Sequence, residues 1–187
     1  GFGLGESTGS GFPGESPGYL PIAKRWYPID QAHIAYGYAL RITPLQLATA
    51  YGAIADGGVL HQPTFVKGAG DAGKRVIDAK TAKQVAEMLQ TVVSKESTAP
   101  AAVVENYLAA GKTGTSHIAV NGGYSNFYHS LFVGFIPASN PRLVCAVVIT
   151  GATGNNIVQY MGGTVSAPSF SKVMEGALRT LDIPPDN

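Results

Sequence analysis

Charge is what this chain is short of. Only 13% of its 187 residues are charged, and thirteen basic against twelve acidic side chains leave a net charge of +1. Such a balance gives no electrostatic case for nucleic acid or for an anionic membrane surface as a partner. Long apolar runs are lacking too: the richest, residues 143–150, is far below the roughly 20 residues that cross a bilayer. No signal peptide is visible, so a targeting segment is expected on a part of the protein other than this chain. Cysteine is nearly missing. Cys145 stands alone among Val144, Ala146 and Val147, where it reads as a small buried apolar residue rather than a nucleophile or ligand. The histidines (His33, His61, His117, His129) form no metal-ligand spacing and read as surface or loop residues, and Glu87 and Glu105 have no paired-carboxylate context. No metal and no cofactor is expected.

What is present suits one packed domain, or most of one. Hydrophobic residues make up 45% of the chain, enough to build a core. Residues 1–28 are rich in Gly, Pro and Ser and read as loop and tight turns, and residues 30–40 as a short helix interrupted by Gly37. Thr43-Pro44-Leu45-Gln46 has the chemistry of a helix start: Thr43 caps, Pro44 fits the first helical position and Gln46 closes a capping box. Leu47, Tyr51 and Ile54 line one face of that helix, and Gly57-Gly58 end it. Residues 64–67 and 74–77 are expected to pair as strands around a glycine-rich turn. The next helix puts Val85, Met88, Leu89, Val92 and Val93 on one face, with Met88 in the core. After a loop at 94–100, strands are expected at 112–116, 130–136 and 142–150, consecutive and antiparallel, with a short turn at 137–141. A last helix, from 166–168 onward, carries Phe170, Val173, Met174, Ala177, Leu178 and Leu181 on a continuous apolar face.

Two glycine-rich stretches invite a nucleotide and fail. Residues 9–14 match G-x-G-x-x-G by letter but contain Pro13 and have no strand before them or helix after them. Residues 68–74 match the dinucleotide fingerprint and nearly match a phosphate loop. Both motifs need a helix to start at the last glycine, whereas Arg75-Val76-Ile77-Asp78 reads as strand, so a hairpin turn is the better reading.

The stretch that asks for chemistry is Gly111-Lys112-Thr113-Gly114-Thr115-Ser116, polar and glycine-punctuated between apolar regions. Lys112 supplies a cation, Thr113 and Thr115 supply hydroxyls, and Gly114 lets another molecule approach the backbone, which suits a carboxylate lying along a strand. A phosphate loop is excluded because Asn106 stands where it needs glycine and no helical period follows. The alternative is the K-T-G strand of serine acyl-transferases. Those enzymes also need Ser-x-x-K, with hydroxyl and amine one helical turn apart, and Ser-x-Asn. Ser169-Phe170-Ser171-Lys172 is the only Ser-x-x-K; it follows K-T-G instead of preceding it and falls on the side expected to be solvated. Ser-x-Asn does not occur. No residue of this chain is a convincing nucleophile.

Taken together, the motifs resemble the class B penicillin-binding proteins. Residues 35–48 resemble their threonine-proline-leucine-glutamine signature, and residues 9–15, Lys112-Thr113-Gly114-Thr115, 134–139 and 162–168 follow in that family's order. Residues 183–187 are similar to the ending of the cell-division (FtsI) type. The resemblance implies a mixed α/β transpeptidase fold, a five-stranded antiparallel sheet with flanking helices. This chain would be the C-terminal portion of that single domain, supplying the last three strands. The nucleophile helix, the Ser-x-Asn loop and two strands would lie upstream or on a companion chain. It further implies a peptidoglycan D,D-transpeptidase of septal cell-wall synthesis acting through an acyl-enzyme. Its partners would be stem peptides ending in D-Ala-D-Ala, β-lactams and divisome proteins. Its place would be the periplasmic face of the inner membrane, held by an upstream anchor. By motif match Lys112 is the lysine beside the nucleophile, Thr113 and Thr115 hold the carboxylate, and the Thr115 backbone N–H is one oxyanion donor. Gly114, Ser116, His117, Tyr124, Tyr128, Tyr160, Met161 and Gly162 complete the substrate site. Tyr124 and Tyr128 fall in a strand-connecting segment, Met161 replaces a frequent second aromatic, and His117 stands where a permanent cation is frequent. A serine β-lactamase or D,D-carboxypeptidase shares K-T-G but should lack the signature around Thr43. The chain by itself fits a non-catalytic binding module or scaffold.

Overall fold

The computed structural model describes residues 1–22 and 26–187, so the expected loop at 23–25 lies outside the described residues. In chain order the elements are α1 (Pro28–Ala35), α2 (Pro44–Ala55), β1 (Val59–Leu60), β2 (Lys74–Arg75), α3 (Ala79–Gln90), β3 (Ala110–Val120), β4 (Gly123–Ile136), β5 (Leu143–Ala152), α4 (Gly162–Val165) and α5 (Ala167–Thr180). Short 3-10 turns sit at Pro100–Ala102 and Ile157–Gln159.

β4 carries the architecture. It lies between β3 and β5 in an antiparallel sheet of order β3-β4-β5, and alternate β4 side chains enter two different cores. Phe132 and Ile136 join Phe170, Met174 and Leu178 of α5 on one face. Phe135, on the other face, joins Tyr51 and Ile54 of α2 and Ala86 and Leu89 of α3. The sheet is therefore a middle layer between helices. The Phe132 and Phe170 rings meet at 4.7 Å and both are fully buried. Each such side chain contributes about 1.5–3 kcal/mol by leaving water.

The start of α2 folds as its letters require. Thr43 Oγ1 accepts the Gln46 N–H at 3.1 Å, and Gln46 Oε1 accepts the Thr43 N–H at 2.8 Å. Gln46, 2% exposed, does more than cap. Its Nε2 donates to the Glu6 carbonyl at 2.7 Å and to the Pro17 carbonyl at 2.8 Å, fastening the amino-terminal segment to the helix. Gly57 and Gly58 end the helix with φ of +59° and +95°.

Several expectations need correction. Residues 64–67 are not a strand: β2 pairs with Val59–Leu60, and 61–73 is an irregular excursion, much longer than a hairpin turn. Local β-propensity at Thr64, Phe65 and Val66 lost because no layer covers them: Phe65 meets the Phe12 ring at 5.6 Å, yet Phe65 and Val66 are 69% and 65% exposed. No helix begins at Gly73, as a nucleotide loop would need. The first helix ends at Ala35 rather than continuing to residue 40. Met88 is exposed, not core, and Val92 and Val93 lie past the end of α3, where they pack on the α5 side of the sheet. Val173 and Leu181 are exposed; the buried stripe of α5 is Ala167, Phe170, Met174 and Leu178, narrower than the apolar letters suggest. The sheet strands run beyond the expected bounds. Tyr124 and Tyr128 lie within β4 itself, not in a connection.

Candidate active site

Among the described residues β3 is an edge strand, paired with β4 alone, and it carries Lys112, Thr113, Gly114 and Thr115 along its length. Strand alternation sends Thr113, Thr115 and His117 to one face and Lys112, Gly114 and Ser116 to the other. The contacts agree. Thr115 Oγ1 accepts the Gly162 N–H at 3.1 Å. A Cβ on Gly163 would lie 3.5 Å from the Thr113 methyl. Gly114 is covered by the Leu131 side chain, which a Cβ there would meet at 2.8 Å. Lys112 is exposed, and its Nζ donates to the Thr113 carbonyl at 3.0 Å and approaches Thr113 Oγ1 at 3.5 Å.

A row of rings extends from the threonines. Tyr128 and Tyr160 stack at 3.9 Å with planes 2° apart, and His117 lies 4.3 Å from Tyr128 and 5.8 Å from Tyr124. The Tyr160 hydroxyl, ahead of burial, holds the Tyr128 phenol above its ordinary value. His117 Nδ1 sits 3.0 Å from the Ser125 carbonyl, which can only accept, so Nδ1 carries the proton and Nε2 is left as the other ring nitrogen. Tyr38 extends the row, its ring 6.3 Å from Tyr124. Met161 is an exposed residue at the cap of α4.

The residues named from sequence thus fall into three places. Thr113, Thr115 and Gly162 meet between β3 and α4, His117, Tyr124, Tyr128 and Tyr160 form the ring row, Ser116 lies across the strand from both, and Lys112, on that same side by alternation, folds back over the edge to Thr113. Sequence reasoning missed Ser130, Ser166 and Tyr38. Ser130 is fully buried, and its Oγ donates to the Tyr160 carbonyl; Ser166, also fully buried, donates to the Ser130 carbonyl at 2.7 Å. Ser130 was signalled as the hydroxyl that opens the apolar run 131–136, while Ser166 and Tyr38 carry no such local signal.

The one Ser-x-x-K lies on α5, away from β3. Lys172 is exposed, Ser169 is half-buried on α5, and Ser171 Oγ is occupied by the Val103 carbonyl at 2.7 Å. A groove of about 950 Å³ between residues 103–107, α5 and the tail contains none of the β3 residues. Burial raises the Cys145 thiol above its ordinary value, away from nucleophile chemistry.

The family model described as "Penicillin binding protein transpeptidase domain" matches residues 1–175. The chain belongs to that family. Its transpeptidase domain is 42% identical over 187 residues to the probable peptidoglycan D,D-transpeptidase PbpC of Pseudomonas aeruginosa, covering 99% of this chain and 33% of that protein. It is 37% identical over 187 residues to the peptidoglycan D,D-transpeptidase FtsI of Escherichia coli K12, covering 99% and 31%. Among solved structures, the apo transpeptidase domain of Burkholderia pseudomallei penicillin-binding protein 3 superposes with a TM-score of 0.89 at 40% identity. That match covers 100% of this chain and 57% of the solved one. The chain therefore spans about a third of the length of these curated relatives. The mixed α/β fold with an antiparallel sheet and flanking helices is that of the family.

Proposed function

We propose that this chain is the C-terminal portion of the transpeptidase domain of a peptidoglycan D,D-transpeptidase of the FtsI type, working in septal cell-wall synthesis and acylated by β-lactams. The observation that carries the reading is the β3 edge: two threonines on one face, with the Thr115 hydroxyl already accepting the Gly162 N–H. A hydroxyl in that position has its proton left to donate. The ligand end that fits is a carboxylate, as in a D-Ala-D-Ala stem peptide or a β-lactam. Ser-x-x-K, Ser-x-Asn and two further strands, joined to the free edge of β5, belong to the portion of the domain preceding this chain. Divisome proteins as partners and the periplasmic face of the inner membrane as location go with this reading. No described helix is long and apolar enough to cross a membrane.

In this reading the upstream serine attacks the carbonyl between the two D-alanines. The C–N bond breaks, the terminal D-Ala leaves with the serine's proton on its amine, and an acyl ester remains. An amine of a second stem peptide then displaces the serine. Thr113 and Thr115 position the leaving residue's carboxylate, and the Thr115 N–H meets the oxyanion. Lys112 stands beside the serine once its ammonium leaves the Thr113 carbonyl. Gly114 makes room for the Leu131 side chain, so that the strand lies flat beside the peptide, Ser116 extends the edge, and His117, Tyr124, Tyr128, Tyr160 and Met161 wall the remainder.

The test is Thr115→Val in the complete protein, which keeps shape and backbone but removes the hydroxyl. Charge-assisted bonds of this type contribute about 1.5–3 kcal/mol. Acylation by a fluorescent penicillin should slow by about one to two orders of magnitude. An unchanged second-order rate removes the Thr115 hydroxyl from the site.

A further inference from the structure

We infer that Ser130 is a positioning residue that aims the Thr115 hydroxyl, by holding the Tyr160–Gly162 turn against β3. The inference rests on the reading of Thr115 as a carboxylate anchor and goes beyond it by naming what fixes the direction of the donated proton.

A threonine hydroxyl has one proton and two acceptor positions, and it rotates to suit its neighbours. At Thr115 one acceptor position is taken by the Gly162 N–H, and among the described residues no acceptor takes the proton. Rotation is thereby restricted, and the proton remains for a ligand. That restriction holds only while Gly162 stays in place, so the question is what holds the turn.

Thr164 and the Ile157 carbonyl hold the turn's own shape, and three contacts tie it to the sheet, all from β4 or the residue that closes α4. Ser130 is the direct register partner of Thr115 across the β3–β4 pair. Its buried hydroxyl donates to the Tyr160 carbonyl, two residues before Gly162, and its own carbonyl accepts the Ser166 hydroxyl at 2.7 Å. The ring of Tyr160 stacks on Tyr128, two residues before Ser130. The turn also comes so close to the sheet that a Cβ at Gly162 would lie 2.1 Å from the Leu131 carbonyl oxygen and 2.7 Å from that of Gly114. The Ser130 hydroxyl is the donor the Tyr160 carbonyl has from the sheet, and on the half-buried Tyr160 its removal leaves that carbonyl to turn toward solvent. The turn then relaxes toward water, and the Gly162 N–H leaves Thr115.

The test separates aiming from mere stability by using the ligand's charge. In the complete protein, second-order acylation rates are measured for one β-lactam with its free carboxylate and for the same compound as its methyl ester. Ser130→Ala should slow the acid by about three- to tenfold, the effect of one weakened hydrogen bond, and leave the ester rate nearly unchanged. Ser130→Cys, which keeps a weak donor of similar size, should restore part of the acid-to-ester ratio. If Ser130→Ala does not fold, Ser166→Ala removes the next bond in the chain and should shift the ratio in the same direction. An unchanged ratio in the folded variants, with both rates intact or both lowered equally, overturns the inference. Thr115→Val is measured alongside. If it leaves the ratio unchanged, the carboxylate reading fails, whereas a ratio lost in Thr115→Val but kept in the serine variants refutes only the role of Ser130.

Discussion

The sheet half of the molecule and its amino-terminal segment are held by opposite means. Around β4, apolar side chains interdigitate from two sides, and residues 132–138 are all buried. Among the described residues of 1–40 none is buried, and Gln46 is the first buried side chain among those described. That segment is fixed by polar contacts. The Glu15 carboxylate gathers the Thr8 N–H at 2.8 Å and the Ser7 and Ser10 hydroxyls, and hydrogen bonding from Thr8 holds its pKa below the ordinary carboxylate value. Gln46 and Gln62 tie its carbonyls to the body of the protein. A core built on area loses stability in proportion to what is removed from it. A polar clasp depends instead on a few atoms in register. The candidate site combines both, since the threonines of β3 stand on the packed sheet while their orientation depends on buried hydroxyls and one glycine.

The contrast is sharpest at the core. Phe170→Ala should destabilise the complete protein by about 3–5 kcal/mol, read by denaturant unfolding, because the cavity opens beneath Phe132 where the sheet cannot collapse. A loss below about 1 kcal/mol would show that the sheet half is not area-driven. Next comes Gln46→Ala, which leaves the Glu6 and Pro17 carbonyls and the Thr43 N–H without their partner. These bonds are part-buried, and each contributes about 0.5–1.5 kcal/mol. The expected signature is local: faster amide exchange and proteolysis in residues 1–20, with β3–β5 protected as before. Uniform loss of protection would break the division into two regions.

The smallest effect concerns His61, which bridges Asp56 at 2.9 Å and Asp71 at 3.0 Å on the exposed side of the amino-terminal half. Its pKa is raised above the ordinary value of about 6.5, by hydrogen bonding to Asp56 first and Asp71 second. The charged bridge is therefore fully formed below that ordinary value and is lost as pH rises through the raised one. Exposed pairs of this type contribute no more than about 1 kcal/mol. The imidazole titration followed by NMR should show a midpoint above the ordinary value that falls in Asp56→Asn. A midpoint indifferent to Asp56 would detach residues 61–71 from the end of α2.

Much of this was legible locally. Thr43, Pro44 and Gln46 specify a helix start through bonds that span three residues, and the end of β4 and β5 announce themselves as apolar runs broken by a short turn, whereas β3 is marked by its polar K-T-G stretch. Residues 64–67 misled because β-propensity measures fit to a half-buried surface, and no such surface is there. Val173 misled similarly: an apolar letter at helical spacing says which face a side chain joins only if the neighbouring layer is wide enough to cover it.

The sequence by itself determined the order of the motifs, the α2 cap, the two-sided apolar character of β4 and the pairing of Thr113 with Thr115 on one strand face. Those follow from periodicity and short-range bonding, which are written in consecutive letters. Only the tertiary structure decided that Gln46 reaches the Glu6 and Pro17 carbonyls, that Ser130 holds Tyr160, and that Gly162 supplies the N–H to Thr115. These bonds join residues 29 to 47 positions apart, and a donor says nothing in sequence about which distant acceptor folding will bring within hydrogen-bonding reach of it.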